Sequence, residues 1–133
     1  MPHPVAMMDR PHNLTAILPC SDVPASRAFY ERPGFQVWAG DDHYLMMRDG
    51  RGGELHLQPA CEDWLVPGRN PFGLYLYSED VDALAAKFLG EILGKVHGPE
   101  DKPWGMYEFA VSDPDETLVR IGWPSRLRTA SAK

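Results

Sequence analysis

Basic residues, cysteines and long apolar runs are all scarce in this sequence, and each shortage excludes a class of protein. Its 133 residues include 13 Lys and Arg against 19 Asp and Glu, so the formal net charge is −6. We expect no nucleic-acid partner, because phosphate backbones are bound by clusters of Lys and Arg. No apolar run approaches the roughly 18 residues that a membrane-spanning helix requires, so no membrane partner is predicted either.

The two cysteines, Cys20 and Cys61, lie in unlike contexts, with no CxxC pair and no cysteine-histidine cluster. This pattern predicts two reduced thiols and a cytoplasmic protein, because disulfides and zinc sites need closely matched partners. The first residues, MPHPVAMMDRPHN, lack the basic and then apolar plan of a signal peptide. We therefore expect residues 1–12 to form a loose N-terminal arm and residues 125–133 a polar C-terminal tail.

The intervening residues, 13–124, are predicted to form one α+β domain. Apolar residues at helical spacing predict a helix that starts at Ser21 or Asp22 and ends at Pro33-Gly34, with Val23, Ala28 and Phe29 on its apolar face. A second helix is predicted over residues 79–93. Short apolar or alternating runs predict strands at residues 13–18, 35–40, 43–49, 54–59, 72–78, 94–98, 104–112 and 117–123.

The order strand, helix and three strands occurs twice, on either side of a loop at residues 60–71. Asp22-Val23-x-Ala25 matches Asp80-Val81-x-Ala83 at an offset of 58 residues (80 − 22), and at the same offset Ala28 matches Ala86 and Tyr30 meets Phe88. We interpret this match as a duplication of a βαβββ module, with modules at residues 13–59 and 72–124. Pairing the two modules would form a curved mixed sheet around a cleft, and a cleft of this kind is a common ligand site.

Three stretches, SDVPASRAFYERPGF, GELHL and KPWGMYEFAVSDPDETLVRIG, resemble the glyoxalase/bleomycin-resistance/extradiol-dioxygenase family, also called the vicinal oxygen chelate superfamily. The resemblance covers residues 13–123 and implies a fold of paired βαβββ modules that assembles as a homodimer. Two residues depart from the family pattern. Pro33 replaces a Leu and sharpens the end of the helix. Glu116 occupies a turn position where the family has Gly, which predicts another type of turn because Glu disfavours positive φ.

Enzymes of this family hold a divalent metal with His, Glu or Gln side chains on four inward strands. The resemblance implies that the four positions here are Thr15, His56, Gly73 and Arg120. Only His56 is a suitable ligand, because Thr is a weak one, Gly has no side chain and Arg carries a fixed positive charge without a lone pair to donate. The resemblance therefore implies a cleft that holds neither a metal nor another cofactor.

Arg120 lies between Val119 and Ile121, where a buried strand would favour a neutral side chain. Two interpretations of it are open and compatible. Arg120 either replaces the metal as a fixed positive group in the cleft, or it pairs with a carboxylate such as Glu108 or Glu54 and stabilises the sheet.

Members of the family that lack the metal resemble bleomycin-resistance proteins, which sequester a drug without altering it. The resemblance implies a metal-free small-molecule binding protein whose ligand is bulky and either aromatic or cationic, for example a bleomycin-like drug. Gly73 would widen the floor of the cleft, and aromatic rings would stack on flat heterocycles. No catalytic residue is predicted, and the predicted ligand-binding residues are Thr15, Trp38, Tyr44, His56, Trp64, Tyr75, Trp104, Glu108 and Arg120.

Two other functions remain open. An enzyme of the same fold, such as a lyase, dioxygenase or transferase, could use His56 with Glu108, or a metal at another position. A non-catalytic partner protein could bind a peptide at the cleft or at an edge strand, although no feature of the sequence favours it. His56 is also open to interpretation as a half-buried, hydrogen-bonded histidine, and Glu108 as a partner of Arg120.

Overall fold

The computed structural model describes residues 12–128, so residues 1–11 of the predicted arm and residues 129–133 of the predicted tail lie outside the described part. The division into arm, domain and tail stays a prediction. The described residues form two α-helices, eight strands and one 3₁₀-helix. In chain order the elements are β1 (Ala16–Cys20), α1 (Val23–Glu31), β2 (Gln36–Asp41), β3 (Tyr44–Arg48), β4 (Glu54–Pro59), β5 (Gly73–Tyr77), α2 (Val81–Ala86), β6 (Glu100–Asp101), β7 (Met106–Ser112), β8 (Leu118–Pro124) and the 3₁₀-helix Ser125–Leu127.

The strands form two four-stranded mixed sheets with the same topology. Their orders are β1-β4-β3-β2 and β5-β8-β7-β6. In each sheet the first strand runs parallel to the last strand of its module, and the remaining pairs are antiparallel. The predicted α+β fold with a repeated βαβββ module is therefore confirmed.

One face of each sheet is buried, because apolar and polar residues alternate along the strands. The core contains Leu45, Met47, Leu55 and Leu57 from the first sheet, and Phe109, Val111, Val119 and Ile121 from the second. The helices complete it, and the rings of Phe29 and Phe88 meet with centroids 5.4 Å apart. The opposite face of each sheet, which we call its open face, carries the other half of the strand residues.

The two helices begin in the same way. Asp22 and Asp80 precede α1 and α2, and the residues that follow them, Val23 and Val81, are both buried. Only Asp22 caps its helix with its side chain, through a hydrogen bond from the Ala25 N–H. The expectation that Ala28 belongs to the buried face of α1 is wrong, because Ala28 is exposed and Ser26 is buried instead.

The first strand is shifted from its predicted position. It runs from Ala16 to Cys20 and passes through Pro19, where the sequence predicted an end. Proline is tolerated there because β1 is an edge strand that pairs only with β4. Its missing N–H therefore deprives no second neighbouring strand of a hydrogen-bond donor.

The second helix is shorter than predicted. It ends at Ala86, and turns follow to Glu91, with Gly90 at a φ of 86°. The predicted strand at residues 94–98 is also wrong. Gly94 and His97 adopt φ values of 100° and 59°, which a strand cannot accommodate, and the pairing strand β6 has only two residues.

The turn between β7 and β8 is held by Asp113, which is buried. Its carboxylate accepts hydrogen bonds from the N–H groups of Asp115 (2.8 Å) and Thr117 (2.9 Å). Glu116 adopts a φ of 69°, so this turn retains the positive φ that a glycine would favour, and the expectation of another turn type is wrong. The Asp113 hydrogen bonds hold the turn in this conformation. Glu116 also accepts a hydrogen bond from the Gly68 N–H of the central loop.

Candidate functional site

The open face of the second sheet presents polar and aromatic side chains from three adjacent strands. Arg120 of β8 pairs in register with Tyr75 of β5, and Glu108 of β7 pairs with Gly122 of β8. Because Val119 and Ile121 point into the core, Arg120 between them points to the open face, where half of its side chain is exposed. This orientation explains how a strand that is otherwise apolar accommodates a cation.

A buried carboxylate lies at the centre of this face. Glu108 is only 4% exposed, and its Oε1 atom accepts hydrogen bonds from the Tyr75 hydroxyl (2.7 Å) and from the Trp104 indole Nε1 (3.2 Å). Its Oε2 atom lies 3.8 Å from the Arg120 Nε atom. We call Tyr75, Trp104, Glu108 and Arg120 the Glu108 cluster. The interpretation that Arg120 pairs with Glu108 is confirmed, and the alternative partner Glu54 instead accepts a hydrogen bond from Asn13.

Tyr75 of the Glu108 cluster lies beside the Tyr77 ring, and Tyr77 and Trp104 extend toward the solvent. Burial and the neighbouring Glu108 carboxylate raise the pKa of Tyr75, so its hydroxyl stays protonated and donates at neutral pH. The Tyr77 ring lies 4.6 Å from the Tyr75 ring, centroid to centroid, and is 62% exposed. The Trp104 side chain is 63% exposed. Together these residues form an aromatic surface beside a half-exposed guanidinium group, which suits a flat ligand.

The open face of the first sheet holds a second pair of predicted residues. The Nδ1 atom of His56 lies 2.7 Å from the Tyr44 hydroxyl, and the two rings meet edge to face with centroids 5.1 Å apart. His56 is thus a half-buried, hydrogen-bonded histidine. Trp38 is also half-buried, and the Arg48 guanidinium lies 5.0 Å from the centroid of its ring.

A pocket of about 830 Å³ lies between the two modules. It brings together Thr15 and Gly73 with Tyr75 and Tyr77 of β5. Gly73 leaves space, because a Cβ atom there would meet only Leu118, at ordinary contact distances of 3.5 and 4.0 Å. The Thr15 hydroxyl donates a hydrogen bond to Asn13.

Seven of the nine predicted site residues therefore fall into three groups. The Glu108 cluster contains four of them, the Tyr44–His56 pair contains two, and Thr15 lies in the pocket that Tyr75 also lines. Within residues 12–128 no hydrogen bond or ring contact joins Trp64, which is half-exposed in the central loop, to any of these groups. The prediction missed Tyr77, although strand alternation places it on the same face as Gly73 and Tyr75.

The described residues do not offer a usual metal site. Among residues 12–128 no group of three or more His, Cys, Asp or Glu side chains could hold a metal ion. Of the four positions implied by the resemblance, only His56 supplies a suitable donor. Helices long and apolar enough to cross a membrane are also lacking in this part of the chain.

Comparison with known proteins agrees with this architecture. No family model matches the chain. A bleomycin resistance protein of Klebsiella pneumoniae is 28% identical over 114 residues, which cover 80% of this chain and 88% of that protein. The crystal structure of a bleomycin-binding protein complexed with bleomycin superposes with a TM-score of 0.70 at 27% identity and covers 84% of this chain and 98% of that one.

An antibiotic-binding protein from Streptomyces sp. CB03234, TnmS3, superposes with a TM-score of 0.63 at 28% identity and covers 87% of this chain and 98% of its own. The fold of the chain matches that of the glyoxalase/bleomycin-resistance superfamily. Within that superfamily it is similar to a bleomycin resistance protein and to proteins that bind antibiotics.

Proposed function

We propose that this protein binds a bulky aromatic or cationic small molecule and sequesters it without altering it. The observation that carries the proposal is the exposed Trp104 ring, which is hydrogen-bonded to Glu108 at the open face of the second sheet, the face that also carries Tyr77 and Arg120. Similarity to bleomycin-binding and antibiotic-binding proteins supports the same class of ligand. Bleomycin is therefore the first compound to test.

The geometry suggests how such a ligand is held. A flat heterocycle stacks on the rings of Trp104 and Tyr77 and gains both apolar contact and offset stacking there. The half-exposed Arg120 guanidinium donates hydrogen bonds to ligand oxygens. Through these bonds Arg120 supplies a fixed positive charge to the cleft. The pocket beside Gly73 accommodates a bulky substituent.

The proposal includes a homodimer and a cytoplasmic location. Ile17, Tyr77 and Trp104 are exposed on the open faces, and an apolar surface of this kind is commonly covered by a ligand or a second copy. Sedimentation showing only a monomer at micromolar concentration would count against the dimer. Free Cys20 and Cys61 support a reducing compartment.

Calorimetric titration with bleomycin tests the binding function, with mass spectrometry of the recovered drug to detect any conversion. The Trp104→Ala variant should bind about five- to 150-fold more weakly, because loss of a stacking ring costs about 1–3 kcal/mol. Leu89→Ala is the matched control, since Leu89 is an exposed apolar residue in the turns that follow α2 and lies outside the proposed site. Unchanged affinity in Trp104→Ala contradicts the proposal.

The absence of a metal is also part of the proposal. Arg120 near the expected position opposes a dication by charge repulsion, and Thr15 and Gly73 are poor substitutes for carboxylate or imidazole ligands. Elemental analysis of protein purified without chelators should show no stoichiometric divalent metal. A bound zinc, nickel, iron or manganese ion would instead favour the metal-dependent enzyme as the function.

A further inference from the structure

Glu108 is a predicted ligand-binding residue that has little surface to offer a ligand. Its side chain is 4% exposed, and its Oε1 atom already accepts two hydrogen bonds. The Oε2 atom faces Arg120. Because its acceptor sites are directed at neighbouring side chains, Glu108 acts on a ligand through another residue.

Trp104 is the neighbour whose position depends most on Glu108. The residue belongs to the turn Lys102–Gly105, in which the Gly105 N–H donates to the Lys102 carbonyl at 2.9 Å. Ser125 also stabilises the turn, because its N–H donates a hydrogen bond to the Gly105 carbonyl at 2.8 Å. These backbone bonds locate the Cα atom of Trp104, but they leave the direction of its exposed ring undetermined.

The ring itself is held at two points. The Nε1–H bond to Glu108 lies in the plane of the indole and therefore restrains the ring at its edge. The Lys102 ammonium lies 5.9 Å from the ring centroid, over one face, and is itself paired with Glu100. The opposite face of the indole is left as a surface for a planar ligand.

We propose that Glu108 is a positioning residue that fixes the Trp104 indole so that one ring face is presented to planar aromatic ligands. Fixing the ring in the free protein removes an ordering cost that binding would otherwise incur. Gly122 makes the arrangement possible, since a Cβ atom there would lie 2.7 Å from the Glu108 Cβ atom. The ligand's identity rests on the proposed function, but the restraint of the ring does not.

The restraint can be measured without any ligand. In a protein whose Trp38, Trp64 and Trp123 are replaced by Phe, time-resolved fluorescence anisotropy reports the motion of Trp104 alone. Glu108→Ala should add a fast decay component, because the ring loses its acceptor. Glu108→Gln should keep most of the restraint through its amide oxygen, and Tyr75→Phe should keep it as well, since Tyr75 is the other donor to Oε1.

Bleomycin titrations of the same Glu108 substitutions, made in the chain that keeps all four Trp residues, test the consequence for binding. Glu108→Ala should weaken binding by about three- to tenfold, and Glu108→Gln by about twofold or less. Thermal melts establish that each variant is folded. If Glu108→Ala does not fold, Glu108→Gln is used for the test. In that case Glu108→Gln must show the restrained ring, while Glu108→Leu, which fills the space without an acceptor, must release it.

Two results overturn the inference. One is an anisotropy decay in folded Glu108→Ala that matches the parent protein, and the other is a released ring with unchanged bleomycin affinity. If the parent protein does not bind bleomycin, the proposed function fails for this drug, and the anisotropy measurement alone decides whether Glu108 positions Trp104.

Discussion

Gly122 lies on the open face of the second sheet, and its missing side chain makes room for the Glu108 cluster. It pairs with Glu108 on one side and with Tyr77 on the other. A Cβ atom at this position would overlap the Tyr75 hydroxyl and crowd the Glu108 side chain. The buried carboxylate and its tyrosine donor therefore depend on a glycine on β8, the strand between those that carry Tyr75 and Glu108.

We expect Gly122→Ala to lower the free energy of unfolding by about 1–3 kcal/mol, since overpacking forces the Tyr75–Glu108 pair apart. The matched control is Gly73→Ala, which adds the same methyl group on the same face of the sheet but meets only ordinary contacts. Urea denaturation of both variants measures the difference. Equal stability of the two variants would show that the Glu108 cluster tolerates displacement.

The turn between β7 and β8 illustrates how an element can retain a geometry that its sequence disfavours. The Asp113 carboxylate accepts several hydrogen bonds, and these bonds fix the turn whichever residue occupies position 116. Glu116 is thereby forced to a φ of 69°, a conformation that costs a side chain about 1 kcal/mol relative to glycine.

Comparison of two substitutions isolates this strain. Glu116→Gly and Glu116→Ala both remove the hydrogen bond from Gly68, but only Gly adopts positive φ without strain. We expect Glu116→Gly to be more stable than Glu116→Ala by about 1 kcal/mol in chemical denaturation. An alanine variant as stable as the glycine variant would mean that the turn relaxes to another type.

The two modules are joined into one body by polar contacts as well as by the shared core. The Tyr30 hydroxyl of α1 donates to the Asp113 carboxylate at 2.7 Å, and both side chains are buried. Ser21 donates to Asp115 from its N–H (3.1 Å) and its hydroxyl (2.5 Å). Contacts between α1 and the β7–β8 turn thus set how the first module meets the second.

This junction makes the stability of the protein sensitive to pH in the alkaline range. Burial, followed by the charge of Asp113, raises the pKa of Tyr30 above its usual value near 10. The native protein keeps this proton at a pH where the unfolded chain loses it, so the contribution of Tyr30 is complete below pH 10 and declines as pH rises. Partial burial also raises the pKa of Tyr107, to about 12, and acts in the same direction.

We expect the free energy of unfolding to fall above about pH 10, by up to about 1.4 kcal/mol per pH unit from Tyr30 alone. Urea denaturation between pH 8 and 11.5 measures the slope. Tyr30→Phe should be less stable at pH 8, because Asp113 loses a donor, but its stability should depend less on pH above 10. An identical slope in the variant would exclude Tyr30 as the cause.

Much of the architecture could be predicted from local patterns. Asp22 and Asp80 before short apolar stretches marked the starts of both helices, and alternation marked most strands. The ends were less predictable, because they depend on distant partners. Pro19 continues a strand because β1 is at an edge. The helix α2 ends early, at Ala86, and the turns that follow it place Phe88 and Ile92 in the core.

By itself, the sequence determined the repeated module and where its helices start, because these follow from local spacing and side-chain chemistry. The four positions compared with metal ligands were instead implied by the resemblance to a family. Only the tertiary structure decided which side chains meet across the sheets. The strand order β5-β8-β7 brings Tyr75, Trp104 and Glu108 together, although the tyrosine is far from the other two in sequence. Lateral neighbours in a sheet are set by strand order and register, and neither can be obtained from the pattern along one strand.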